Sequence, residues 1–165
     1  MVIVTWRRAL GLIAGAGLAA VLGQAAAAQE KDRHAGYYYP PVTVTESYDA
    51  EATPLAGANR VRRVGFITIL ANKALTAAYP PPYAIFVKGT DGEKLIIVGM
   101  GDYIASIYQA RGLLAQLTAQ ARTTEVFKSV DAENRLTFLD LLKMLGFEQV
   151  TVSDGKTFTL QIAIK

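Results

Sequence analysis

The feature that most constrains the fold of this sequence is a hairpin pattern near its middle. Two apolar runs with β-branched residues, residues 83–88 and 94–100, flank the stretch GTDGE. Asp91 and Gly92 in that stretch supply the positive φ angles that a tight turn between strands requires. The sequence therefore predicts an antiparallel strand pair, which an all-helical fold could not contain.

A second hairpin pattern lies at the C-terminal end. Residues 149–152 precede the turn residues Ser153, Asp154 and Gly155. Apolar residues then alternate with polar or small ones, at Phe158, Leu160, Ile162 and Ile164. This alternation predicts a last strand with one buried face and one solvent-exposed face.

Two further strands and a short helix are predicted upstream. Residues 42–48 alternate and follow Pro40 and Pro41, which favours an edge strand. Residues 64–71 are almost continuously apolar and β-branched, which predicts a buried strand. Asn72 then caps a short predicted helix, residues 73–78, which three prolines end.

Two helices are predicted between the hairpins. Asp102 is the expected N-cap of the first, whose packed stripe would contain Ile104, Ile107, Tyr108, Leu114 and Ala121. The second covers residues 135–145, and Gly146 is its expected C-terminal cap. The predicted fold class is α+β, with a largely antiparallel sheet of about five strands built from two hairpins and with helices packed on one face.

The first 28 residues have the pattern of a secretory signal peptide. Arg7 and Arg8 precede an uncharged apolar run, and small residues end at Ala28. An uncleaved membrane anchor is the alternative, although the run is shorter than the roughly 20 residues of a spanning helix. We expect a periplasmic or secreted protein, divided into an extended strap and edge strand (residues 29–58) and one α+β domain (residues 59–165).

Composition narrows the functional classes. Without the two leader arginines, 15 basic residues face 14 acidic ones, so charge gives no reason to expect nucleic acid as a partner. The chain has no cysteine and one histidine, His34, and its acidic residues are not spaced as metal ligands. We expect no catalytic residues, no metal site and no cofactor.

A tyrosine segment, residues 34–39, is the first candidate binding element. It contains Tyr37, Tyr38 and Tyr39, and large amphipathic rings of this kind are enriched at binding surfaces. With the two prolines that follow, the segment is expected to be extended and to lie across the folded domain. Packing of these rings in the core is the alternative reading.

An arginine cluster is the second candidate. Arg60, Arg62 and Arg63 form the only dense group of basic residues in the mature chain. They could bind an anion or an acidic partner, or they could be the solvated entrance to a strand. Both readings stay open at this point.

Several short stretches resemble a small exported bacterial family. HAGYYYP, YAIF, KLIIV, KMLGF and VSDGKTF are similar to its members, some of which are labelled molybdopterin-guanine dinucleotide biosynthesis proteins. Nucleotidyltransferases of that name have a glycine-rich LAGG-type loop, whereas residues 54–59 read PLAGAN, so no catalytic residue is carried over.

Two hypotheses about function follow. One is a non-enzymatic periplasmic binding or accessory domain, whose partner would be another periplasmic protein. The other is an enzyme or accessory factor of molybdenum-cofactor or nucleotide metabolism, which the resemblance implies.

Overall fold

A computed structural model describes residues 39–130 and 135–165, all within one compact unit, His34–Lys165. The predicted signal peptide, Tyr37 and Tyr38 lie outside the described residues. The elements follow in the order β1 (Val44–Tyr48), α1 (Arg60–Leu75), β2 (Tyr83–Lys88), β3 (Lys94–Gly99), α2 (Ile107–Ala121), α3 (Glu125–Val130), α4 (Phe138–Met144), β4 (Gln149–Ser153) and β5 (Thr159–Ile164).

The five strands form one mixed sheet in the order β1-β5-β4-β3-β2. The α+β class is confirmed, and β2–β3 and β4–β5 are the two antiparallel hairpins. The prediction of a largely antiparallel sheet is wrong, because β1 pairs with β5 and β3 pairs with β4 in parallel. Helices α2, α3 and α4 separate β3 from β4, and a long helical crossover of this kind is what allows two strands to run the same way.

The segment predicted as a buried strand, residues 64–71, is part of helix α1 instead. Asn59 caps this helix by accepting a hydrogen bond from the Arg62 N–H, at 3.0 Å. Phe66, Ile67 and Leu70 recur at helical spacing and are buried. Burial of this stripe outweighs the lower helix propensity of β-branched residues.

The short helix predicted over residues 73–78 does not form as a separate element. Its first residues are the last turn of α1, which ends at Leu75 with Thr76 as C-cap. The prolines at 80–82 follow this end, as their missing amide requires.

The helices between the hairpins differ from prediction at their ends. The N-cap of α2 is Ser106 rather than Asp102, and Tyr108 is 80% exposed rather than packed. Helix α3 was not predicted. Helix α4 begins later than expected, at Phe138, because a capping box between Thr137 and Asp140 fixes its start.

The sheet has two faces of different composition. The inner face joins the helices in one hydrophobic core and contains Leu95, Ile97, Val150, Val152, Leu160 and Ile162. Alternate residues point the other way, and Ile96 aligns across this outer face with Phe86 and Thr151. The predicted burial of Leu160 and Ile162 is therefore confirmed.

Candidate functional site

Helix α1 divides the arginine cluster into residues with different roles. Arg63 is buried, and its guanidinium donates to the backbone oxygens of Asp91, Leu145 and Gly146 at 2.7 to 3.2 Å. Arg63 thus connects the β2–β3 turn to the C-terminal end of α4, where a cation is favoured. The reading of this residue as part of a binding patch does not fit its position.

Arg60 and Arg62 lie on opposite flanks of the same helix. Both side chains are exposed. Arg62 donates to the Ala56 oxygen at 3.4 Å, whereas the aliphatic part of Arg60 approaches Gly92 in the β2–β3 turn. Arg62 also lines a cavity.

That cavity is a groove between α1 and α3, which we call the α1–α3 groove. Its volume is about 220 Å³. Arg62, Phe66 and Ile69 contribute from α1, at the spacing that places them on one helix flank. The other lining residues are Leu55, Val126, Ser129, Val130 and Leu145. The walls are therefore mostly aliphatic and aromatic.

Ile69 gives the groove an open apolar surface. This side chain is 52% exposed, although its neighbours on α1, Phe66 and Leu70, are buried. Val61 and Leu75 are also exposed on the outward side of the helix. A helix that presents apolar groups beyond its buried stripe is typical of an interaction surface.

Two cations lie along the groove flank of α1. Arg62 is near the N-terminal end, and Lys73 is near the C-terminal end, where its Nζ donates to the Thr123 hydroxyl. Eleven residues of helix separate them by about 16 Å along the axis. Within residues 39–130 and 135–165, neither of them, nor Arg60, forms an ion pair, while Glu125 of α3 pairs with Lys128 at 2.9 Å. The flank thus has a positively charged side chain near each of its ends.

A larger cavity of about 450 Å³ lies between α2, α4 and β1. Its polar groups bond mainly to one another: Asp140 accepts from the hydroxyls of Tyr48 at 3.0 Å and Thr137 at 2.7 Å. Asp140 also accepts from the N–H groups of Glu51 and Thr137. This network is a structural cap, because the carboxylate accepts four hydrogen bonds from groups of the fold, three of them at Oδ2.

The hydrogen bonds to Asp140 control its ionisation. Burial alone would raise its pKa, but donors from Thr137, Glu51 and Tyr48 outweigh that effect and hold the pKa below its usual range. In the same network, burial raises the pKa of the Tyr48 hydroxyl, and the adjacent Asp140 carboxylate adds to that rise. Asp140 is therefore an ionised cap near neutral pH rather than a proton donor.

The described part of the tyrosine segment begins at its last ring. Tyr39 is buried, with 3% of its surface exposed. The following residue, Pro40, accepts a hydrogen bond from the Thr159 hydroxyl at 3.2 Å. The structure thus brings Tyr39 to the start of β5.

The groove residues outside the arginine cluster were not predicted. Ile69 was assigned to a buried strand, and Val126 and Val130 belong to the helix that was missed. The spacing Arg62, Phe66, Ile69 would have placed these side chains together if the segment had been read as a helix.

Comparison of the chain with protein-family models, curated proteins and solved structures gave no match. In the described residues, no group of three or more histidine or acidic side chains could hold a metal ion. Nor does any helix described here have the length and apolar character needed to cross a bilayer.

Proposed function

We propose that this chain is an exported, non-enzymatic binding domain of the periplasm, and that its α1–α3 groove binds an acidic amphipathic segment of another protein. The observation that carries the proposal is an apolar groove flanked by Arg62 and Lys73, with no described carboxylate paired to either. The leader pattern in residues 1–28 supports export.

The form of the groove favours a protein segment over a small molecule. Small-molecule sites are usually enclosed cavities of about 300–1,000 Å³. The α1–α3 groove, at about 220 Å³, is smaller, and it is bordered by two helices. Such grooves accept the apolar face of an amphipathic helix, through side chains spaced three and four residues apart.

The charges favour an acidic segment. Arg62 and Lys73 lie about 16 Å apart on α1, so acidic groups near both ends of a helical segment of about three turns would meet them. Opposite charges at the rim of an interface raise the association rate and fix the register. Apolar side chains between those acids would contact Ile69, whose side chain is 52% exposed.

A labelled peptide tests this proposal on the full chain. The probe is an amphipathic helix of about 15 residues with leucines on one face and glutamates near both ends, followed by fluorescence anisotropy. We expect saturable binding that weakens about tenfold in the Arg62→Glu variant and in the Ile69→Ser variant. The matched control is Arg60→Glu, which makes the same charge change on the opposite flank of α1 and should change the affinity less than about threefold.

Two results would contradict the proposal. Equal affinity for a peptide whose glutamates are replaced by lysines would show that charge does not contribute to binding. Binding to vesicles of phosphatidylglycerol and phosphatidylcholine, with no binding to the acidic peptide, would assign the surface to a lipid instead of a protein.

A further inference from the structure

A polar cavity lies along helix α2 and shares no lining residue with the α1–α3 groove. Its volume is about 500 Å³, within the range of roughly 300–1,000 Å³ that is typical of small-molecule sites. We call it the α2 groove. Four of its six lining residues have a polar side chain, and the six are Asp102, Tyr103, Gln109, Gly112, Leu113 and Gln116.

Gly112 leaves the middle of the α2 groove open. It is exposed, and a Cβ built on it would meet no atom of the described residues within 4 Å. Gln109 and Gln116 lie about one turn before and after it, so the three residues share one flank of the helix. Because glycine weakens a helix interior, the stability of α2 does not explain this residue, whereas the space above it does.

Two glutamines present anchored amides to the groove. The Oε1 atom of Gln116 accepts from the Tyr103 hydroxyl at 2.8 Å. The Oε1 atom of Gln109 accepts from the Ala105 N–H at 2.8 Å and from the Ser106 hydroxyl at 3.2 Å. Since each Oε1 is bonded inside the fold, each glutamine offers a ligand the N–H groups of its Nε2. Donors that are already oriented bind a ligand at a smaller entropic cost.

Tyr103 and Asp102 add an aromatic ring and an acceptor. The half-buried Tyr103 ring stacks on Tyr83, with ring centroids 6.3 Å apart, and the Tyr83 hydroxyl donates to Gln120 at 3.2 Å. The ring is therefore held in place. The side chain of Asp102 is 95% exposed and forms an ion pair with Lys156 at 3.7 Å, which leaves little net charge beside the groove.

We propose that the α2 groove binds a neutral saccharide. The oxygens of a pyranose accept from amide N–H groups, its hydroxyls donate to a carboxylate such as Asp102, and its C–H face packs on an aromatic ring such as Tyr103. A phosphate or sulfate group would be repelled by the Asp102 carboxylate. A hydrocarbon ligand would leave the amide donors without partners. This site is independent of any partner at the α1–α3 groove.

Titration calorimetry on the full chain tests the proposal with two neutral trisaccharides, maltotriose and chitotriose. Both consist of pyranose rings, and only chitotriose has acetamido groups, so the pair distinguishes a plain glucan from an amino sugar. We expect saturable binding of at least one of them. Binding of neither at millimolar concentrations would overturn the proposal. Binding of an anionic heparin tetrasaccharide alone would also overturn it, because the ligand would not be neutral.

The Gly112→Leu variant locates the site. Leucine would fill the middle of the groove, so the affinity for the bound trisaccharide should fall at least about tenfold. The melting temperature should not fall, because leucine favours a helix more than glycine does. The matched control is Gly65→Leu in α1, at an exposed glycine where the described residues also leave a Cβ free of contacts, and it should not change the affinity. Equal affinity of Gly112→Leu and the wild type would overturn the proposal.

The Asp102→Ala variant keeps the test decisive if Gly112→Leu disturbs α2. The exposed side chain of Asp102 lies before the helix, so the circular dichroism spectrum should not change. Loss of the acceptor should weaken binding about fivefold, whereas Asp49→Ala, at another exposed aspartate, should leave the affinity unchanged. Equal affinities of the two variants would overturn the assignment of the saccharide to this groove.

Discussion

The two sides of helix α1 use similar residue types in opposite ways. On the inner side, Arg63 is buried beside Phe66 and all its hydrogen bonds go to backbone oxygens. On the outer side, Arg62 and Lys73 are exposed and border the partly exposed Ile69. Adjacent arginines of one helix therefore differ completely: the guanidinium of Arg63 is bonded inside the fold, whereas that of Arg62 is exposed beside the proposed binding groove.

Of the substitutions on the two sides of α1, Phe66→Ala is expected to cause the largest loss of stability. Phe66 is 2% exposed and belongs to the hydrophobic core, so the substitution leaves a cavity and should lower the free energy of unfolding by about 3–5 kcal/mol. Urea unfolding followed by circular dichroism measures this. A loss below about 1 kcal/mol would mean that the inner side of α1 is not part of the core.

The second-largest loss of stability is expected from Arg63→Met. The apolar part of the side chain is kept, but the oxygens of Asp91, Leu145 and Gly146 lose a donor, at a cost of about 3 kcal/mol. The same substitution at the adjacent Arg62 is the control and should cost less than about 0.5 kcal/mol. Equal losses at both positions would abolish the distinction between the two sides.

Acid titration of the free energy of unfolding also separates the two regions. The groove flank of α1 has no acidic residue, so the loss of stability in acid must come from carboxylates elsewhere in the fold. The pKa of Asp140 is lowered in the folded state, so Asp140 contributes stability at pH values above its unfolded pKa of about 3.9, and that contribution is lost as pH falls through the lower, folded pKa. Asp154, whose pKa is also lowered, acts in the same direction. Stability should be nearly constant above about pH 5 and should fall below about pH 4.

The variant Asp140→Asn checks the source of that fall. It should lose about 1–2 kcal/mol at pH 7, because an amide cannot accept all four hydrogen bonds, and it should lose less than the wild type between pH 5 and pH 3. Identical acid dependence of the two proteins, measured by urea midpoints, would exclude Asp140 as a cause.

The smallest effects on stability are expected on the outer side. Ile69→Ser and Lys73→Ala should each change the free energy of unfolding by less than about 0.5–1 kcal/mol, because these side chains are exposed. The same variants should weaken binding of the acidic peptide. A variant that lost stability and binding in parallel would indicate that Ile69 serves the fold and not the groove.

The hairpins were predictable from sequence because their signals are local. Alternation in β5 and the glycines at the turns, Gly92 with φ +72° and Gly155 with φ +73°, act within a few residues. The pairing of β1 with β5 and of β3 with β4 joins segments far apart in the chain, and no local pattern encodes it. The prediction was therefore correct for the two hairpins, and it was wrong in expecting the sheet as a whole to be largely antiparallel.

The groove was not predictable because it exists only if residues 64–71 form a helix rather than a strand. Residues 64–71 have the composition of a buried strand, and only the Asn59 cap and the spacing of Phe66, Ile67 and Leu70 favour a helix. Read as a strand, the segment places Arg62 and Ile69 on different sides. Of the arginine cluster, Arg62 lines the α1–α3 groove, whereas Arg63 is buried and donates to backbone oxygens.

The most direct test of the groove is a charge exchange between protein and peptide. The Arg62→Glu variant should bind the acidic peptide about tenfold more weakly than the wild type does. A peptide with lysine in place of the glutamate that faces Arg62 should bind this variant more tightly than it binds the wild type. Loss of both peptides by the variant, with its circular dichroism spectrum and unfolding midpoint unchanged, would contradict direct contact between Arg62 and an acidic partner.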